Sequence, residues 1–78
     1  STTISLQVKA IGQSLRLKIY NTRGQLVRTL FDGAAPSLEL SLVWDGRDQL
    51  GNVVGSGMYL YRMESGSFVE TRRMVLIK

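Results

Sequence analysis

Apolar residues recur at every second position through nearly the whole chain, and no segment repeats at the 3.6-residue spacing of a helix. Ile4, Leu6, Val8 and Ala10 alternate with Ser5, Gln7 and Lys9. Leu15, Leu17 and Ile19 alternate with Arg16, Lys18 and Tyr20, the clearest such run. Successive side chains of a strand point to opposite faces, so this period describes strands with one face in a core and one in water. Between the runs lie turn-forming residues: Gly12-Gln13-Ser14, Asn21-Thr22-Arg23-Gly24-Gln25 and Ser65-Gly66-Ser67. Asn and Gly tolerate positive φ, and Gly24 is placed for the left-handed position of a hairpin turn between Ile19 and Leu26-Val27-Arg28-Thr29-Leu30-Phe31.

Asp32-Gly33-Ala34-Ala35-Pro36-Ser37 interrupts the pattern. Pro36 cannot donate to a ladder, which predicts a crossing between sheets or an edge loop here. Leu38, Leu40, Leu42 and Trp44 then share one face, so Trp44 is expected in the core. A loop from Asp45 to about Gly57 follows, within which Val53-Val54 is expected as a very short strand. Met58 to Glu64 and Phe68 to Lys78 form the last hairpin. Along the final run neither parity is purely apolar: Phe68, Glu70, Arg72, Met74 and Leu76 oppose Val69, Thr71, Arg73, Val75 and Ile77. A bulge near Arg72-Arg73 would restore an inward set; the alternative is that the end of the strand is covered on both faces. Six or seven short strands with regular turn signals predict an all-β sandwich, in which two sheets bury their apolar faces against one another.

Seventy-eight residues make one domain, 1–78. The chain has no His and no Cys. Imidazole acid–base chemistry, Ser-His and Cys-His nucleophiles, disulfides and zinc sites of the usual ligands are therefore excluded. The six acidic residues are scattered, and the chain does not read as an enzyme or as needing a cofactor. Ten basic residues give a net charge of +4, spread along the chain with Arg72-Arg73 the sole doublet. Without a dense basic patch or interleaved aromatics, nucleic acid is not an expected partner. No apolar run reaches the ~18 residues of a membrane span.

Three candidate sites emerge. Asp45, Asp48 and Asn52 offer oxygens to Ca²⁺, yet Arg47 stands between the carboxylates, and the favoured reading is that both aspartates accept bonds from loop amides while Gly46 and Gly51 take positive φ. Trp44, Tyr59 and Tyr61 suggest a carbohydrate-stacking platform, against which the parity of Trp44 assigns it to the core. Arg72 and Arg73 are available to an anionic glycolipid or an acidic protein surface, or else to Glu64 and Glu70 across the last hairpin.

Four blocks in order give the chain a recognisable look. They are Leu17 to Leu30; Trp44-Asp45-Gly46-Arg47-Asp48 with Gly51 and Val53-Val54; Gly57-Met58-Tyr59-Leu60-Tyr61-Arg62; and Phe68-Val69 with Thr71 to Lys78. Together they resemble the immunoglobulin-like domain related to the C-terminal part of the flagellar hook-capping protein. They are also similar to the type A C-terminal sorting domain of the type IX secretion system. The resemblance implies an immunoglobulin-like sandwich of about seven antiparallel strands, cut from a larger secreted bacterial protein. It implies a non-catalytic sorting or surface-display module, attached to a passenger enzyme or adhesin and read by outer-membrane secretion machinery. The residues implied for that recognition are Arg72, Arg73, Met74, Val75, Leu76, Ile77 and Lys78. Trp44, Asp45, Gly46, Asp48, Gly51, Gly57 and Tyr59 form the loop by which the fold is recognised. The expected location is the cell surface or the medium, reached through the periplasm. The alternatives are a carbohydrate- or Ca²⁺-binding accessory module and a structural spacer or assembly domain.

Overall fold

A computed structural model describes residues 1–77. It contains six strands: β1 (Thr2–Gln7), β2 (Ser14–Tyr20), β3 (Leu26–Ala34), β4 (Glu39–Trp44), β5 (Gly57–Ser65) and β6 (Phe68–Leu76). They form two antiparallel sheets, one of two strands (β1-β4) and one of four (β3-β2-β5-β6). The all-β sandwich read from the alternation is the observed architecture. Six strands stand where about seven were expected, because Val53 makes only a single antiparallel bridge to Arg47.

The core follows the parity. Leu15, Leu17 and Ile19 of β2 are fully buried, and Ile4 and Leu6 of β1 face them. The register of β1 on β4 pairs Leu6 with Leu40, Ile4 with Leu42 and Thr2 with Trp44, so the inward residues of the small sheet stack in pairs. In the large sheet Leu17 lies opposite Met63 and Ile19 opposite Tyr61. Asn21 closes the β2–β3 hairpin: its Oδ1 accepts from the amides of Arg23 and Gln25, each at 3.0 Å, and Gly24 takes φ of 81° as expected.

Two departures have physical causes. β3 continues through Asp32 and Gly33 to Ala34, where the composition suggested a break. The inward residue Leu15 of β2 pairs with Gly33, and Arg16 with Asp32, so ladder pairing outweighs the weak strand propensity of Asp and Gly. The bulge expected near Arg72-Arg73 does not form. β6 pairs with β5 without interruption from Gly57↔Leu76 to Ser65↔Phe68, and the register shifts lie between β2 and β3 instead. The mixed inward face of β6 is explained by coverage. Leu76 is fully buried opposite Gly57, whereas Arg72 is exposed and Phe68 retains 44% exposure. The two-stranded sheet covers one end of β6 and leaves the other open, so polar residues are tolerated there without a bulge.

Candidate functional site

The segment Asp45 to Gly57 is built almost wholly from bonds to itself and to β3. Trp44, at the end of β4, is fully buried, and its indole N–H donates to the Arg47 carbonyl at 2.9 Å. The Tyr59 ring meets it edge to face, centroids 5.0 Å apart, the arrangement favoured by the ring quadrupoles. The Tyr59 hydroxyl donates to the Gly55 carbonyl at 2.6 Å. The two aromatics therefore plug the core and tie down both ends of the loop.

The carboxylates are consumed in the same way. Asp45 Oδ1 accepts from the Arg47 amide at 3.1 Å and from the Arg28 guanidinium at 2.8 Å. Asp48 Oδ1 accepts from the amides of Leu50 and Asn52, at 3.0 and 2.9 Å. Gly46 and Gly51 take φ of 76° and 87°, left-handed values that side chains rarely adopt. Arg47 turns back to donate to the Gly51 carbonyl. Gln49 fixes the loop to β3: its amide donates to the Val27 carbonyl and its side-chain oxygen accepts from the Thr29 amide, each at 2.9 Å. Sequence reasoning passed over Gln49 and the Arg28–Asp45 pair, since both contacts join residues 17 or more apart. Asp45 and Asp48 thus hold the loop backbone, and among the described residues no group of three or more His, Cys, Asp or Glu is placed to hold a metal ion. The stacking platform of Trp44, Tyr59 and Tyr61 is not assembled either, because the Trp44 ring is inside.

The candidate recognition residues of β6 divide between two faces. Leu76 is buried, Met74 packs partly on the core, and Arg72 faces the space between the sheets. Arg73, Val75 and Ile77 are exposed by parity on the opposite side; Lys78 lies outside the described residues. The expected pairing across the hairpin is corrected. Arg72 binds Glu70, two residues away on its own strand, and this contact raises the guanidinium pKa. Glu64 is taken by Lys18 and Arg62 at 3.5 and 3.8 Å: Lys18 lies diagonally across the β2–β5 ladder, opposite Arg62, and Arg62 is two residues away on β5. Arg62 is half exposed, yet its Nε is buried without a hydrogen-bond partner among the described residues.

Between the sheets is an open cleft of about 730 Å³, which the sequence did not reveal. Leu6 and Leu40 form its upper wall, Tyr61, Met63 and Phe68 its floor, and Glu39, Glu70 and Arg72 its polar margin. A narrower space of about 70 Å³ adjoins it, between Gln7-Val8-Lys9 and the residues Met63, Ser65 and Phe68.

Two facing antiparallel sheets closed around Trp44, with the polar loop folded on itself, define an immunoglobulin-like β-sandwich. The FlgD Ig-like domain model matches residues 1–67, and the chain belongs to that family. Its fold is similar to that of FlgD from P. aeruginosa, with a TM-score of 0.72 at 22% identity over 94% of this chain. The chain spans 55% of that structure's length. No curated protein matches. The family overturns one expectation. Placement at the cell surface or in the medium, by way of the periplasm, came from the likeness to secretion sorting domains; the family that matches is that of a flagellar hook-capping protein.

Proposed function

We propose that this chain is a non-catalytic structural module of a flagellar hook-capping protein, serving assembly through protein contacts. Membership of the FlgD Ig-like family over residues 1–67 carries the reading. The chemistry of the chain supports it. There is no His or Cys for catalysis, and the polar groups of the most conspicuous loop are spent on its own amides. What the domain offers outward is shape, sheet edges and a modest positive charge. These are the means by which one protein positions another.

The test is removal of this domain from its full-length parent protein in the native bacterium. Loss of hook assembly by electron microscopy, with the truncated parent still present at normal abundance, is the expected result. Wild-type hooks and swimming would overturn the proposal.

A further inference from the structure

In a two-layer sandwich the outer face of an antiparallel sheet meets water and is expected to be polar. The outer face of the four-stranded sheet departs from this at one end. There Leu26 of β3 lies opposite Tyr20 of β2, Tyr20 opposite Leu60 of β5, and Met58 of β5 opposite Val75 of β6. These side chains form one patch that crosses all four strands. Leu26, Met58 and Val75 are 53%, 48% and 55% exposed, so the sheet itself does not bury them. Contiguous apolar surface of this kind marks a place of contact. A strand added at an edge of the sheet would not cover it, because Tyr20 and Leu60 lie on the two middle strands.

The charges beside the patch do not balance. Lys18 is directly opposite Arg62, and like charges facing one another across a ladder are destabilising. Both reach for the same carboxylate, Glu64, at 3.5 and 3.8 Å. The Arg62 Nε is left buried without a hydrogen-bond partner among the described residues. Arg73 of β6, opposite Leu60, ends the apolar row and forms no ion pair among the described residues. Lys18, Arg62 and Arg73 thus border the patch with Glu64 as their shared carboxylate. Further along the same face Arg16 binds Asp32, and the charges there cancel. The positive excess is confined to the border of the apolar patch.

We propose that this face docks a partner protein through a surface segment that sets an acidic side chain beside apolar ones. The apolar side chains rest on Tyr20, Leu60 and Met58. The acidic one enters between Arg62 and Arg73, where its charge offsets the repulsion across the ladder, and a carboxylate is the group that a guanidinium pair holds best. Desolvated pairs of this kind fix register and exclude wrong partners. Nucleic acid is a poorer fit, since Glu64 stands among the cations and the apolar row would be left bare. An anionic membrane is also a poorer fit, since electrostatic attachment takes a cluster of roughly four to eight basic residues. The inference deepens the assembly reading and rests on it for its biological meaning, not for the docking itself.

The experiment places the photoreactive residue p-benzoylphenylalanine at Thr71, opposite Arg62 on this face, in the full-length parent protein in its native bacterium. Irradiation should give an adduct with a second protein, and peptide mapping should find an Asp or Glu flanked by apolar residues in the linked segment. Arg62→Glu with Arg73→Glu should reduce the adduct about tenfold, and lysine in place of the mapped acidic residue should restore it. Arg73→Gln should weaken the adduct several-fold without lowering the melting temperature of the purified protein, which separates docking from folding. An adduct within the parent chain or with a second copy of it, with lipid or with nucleic acid would overturn the proposal. So would a linked segment without an acidic residue, the same adduct from a control at Val43 on the outer face of the small sheet, or no adduct. These outcomes are separate from the hook phenotype. Loss of hooks on deletion with no adduct leaves the assembly reading standing and removes this face as its contact; a charge-swapped adduct beside normal hooks leaves the face standing and removes the reading.

Discussion

Trp44 joins three functions in one side chain: it fills the core, stacks against Tyr59 and donates to the Arg47 carbonyl. Trp44→Ala should cost about 3–5 kcal/mol. A single core of this size rarely supplies more than about 3–5 kcal/mol in total. Urea titration followed by circular dichroism should therefore show the variant largely unfolded without denaturant. Trp44→Phe keeps an aromatic ring but loses the N–H bond and some volume, with an expected loss of about 1–2 kcal/mol by the same measurement. Asp48 is read differently by structure and by composition. As an acceptor for the Leu50 and Asn52 amides, it should tolerate Asn better than Ala. Asp48→Ala should lose about 1 kcal/mol, Asp48→Asn clearly less, and millimolar Ca²⁺ should leave the melting temperature of the native domain unchanged. A rise of several degrees with Ca²⁺ would restore the metal reading. Both residues were legible in the sequence because parity and Asx-turn chemistry are local. The edge-to-face contact of Tyr59 with a buried Trp44, and the bond from Arg28 to the neighbouring Asp45, were not, because each joins residues far apart in the chain.

β6 is the element for which pattern and structure part most instructively. Its inward face passes from buried Leu76, through Met74, to exposed Arg72 and Phe68. Period two assumes a face covered along its whole length, and a strand covered at one end breaks that assumption without any irregularity of its own. Removing Met74 to Lys78 should therefore unfold the domain, because it withdraws Leu76 from the core opposite Gly57. Burial of one such side chain is worth about 2–5 kcal/mol, comparable with the whole stability. Differential scanning calorimetry should show no cooperative transition for the truncated chain. Any loss of function on that truncation would then report folding, not recognition. The outward pair Arg73→Ser and Val75→Ser leaves the core intact, should change stability by no more than about 1 kcal/mol, and is the proper probe of this strand as a contact surface. β3 shows the converse. Asp32 and Gly33 looked like a break, but β2 needed a ladder partner as far as Ser14, and pairing carried the strand to Ala34.

At the scale of the molecule, six ion pairs among the described residues decorate the surface, and none of these is buried. Exposed pairs contribute about 0–1 kcal/mol each and are screened within about 3 Å at 1 M salt. Stability in 1 M NaCl should accordingly differ by no more than about 1 kcal/mol from that at low salt, measured by urea titration; a larger fall would mean that the pairs act as a network. Stability rests on the alternating apolar faces, and these were present in the sequence. Alternation fixes which side of each strand is inward, turn residues fix where strands end, and the missing His and Cys narrow the chemistry, all without knowledge of neighbours. Only the tertiary structure decided how many strands each sheet holds. That number depends on which strands pair, and pairing joins residues far apart in the chain. From it follow the cleft beside Leu6 and the partial cover of β6, which the broken alternation of that strand marks in the sequence but does not explain.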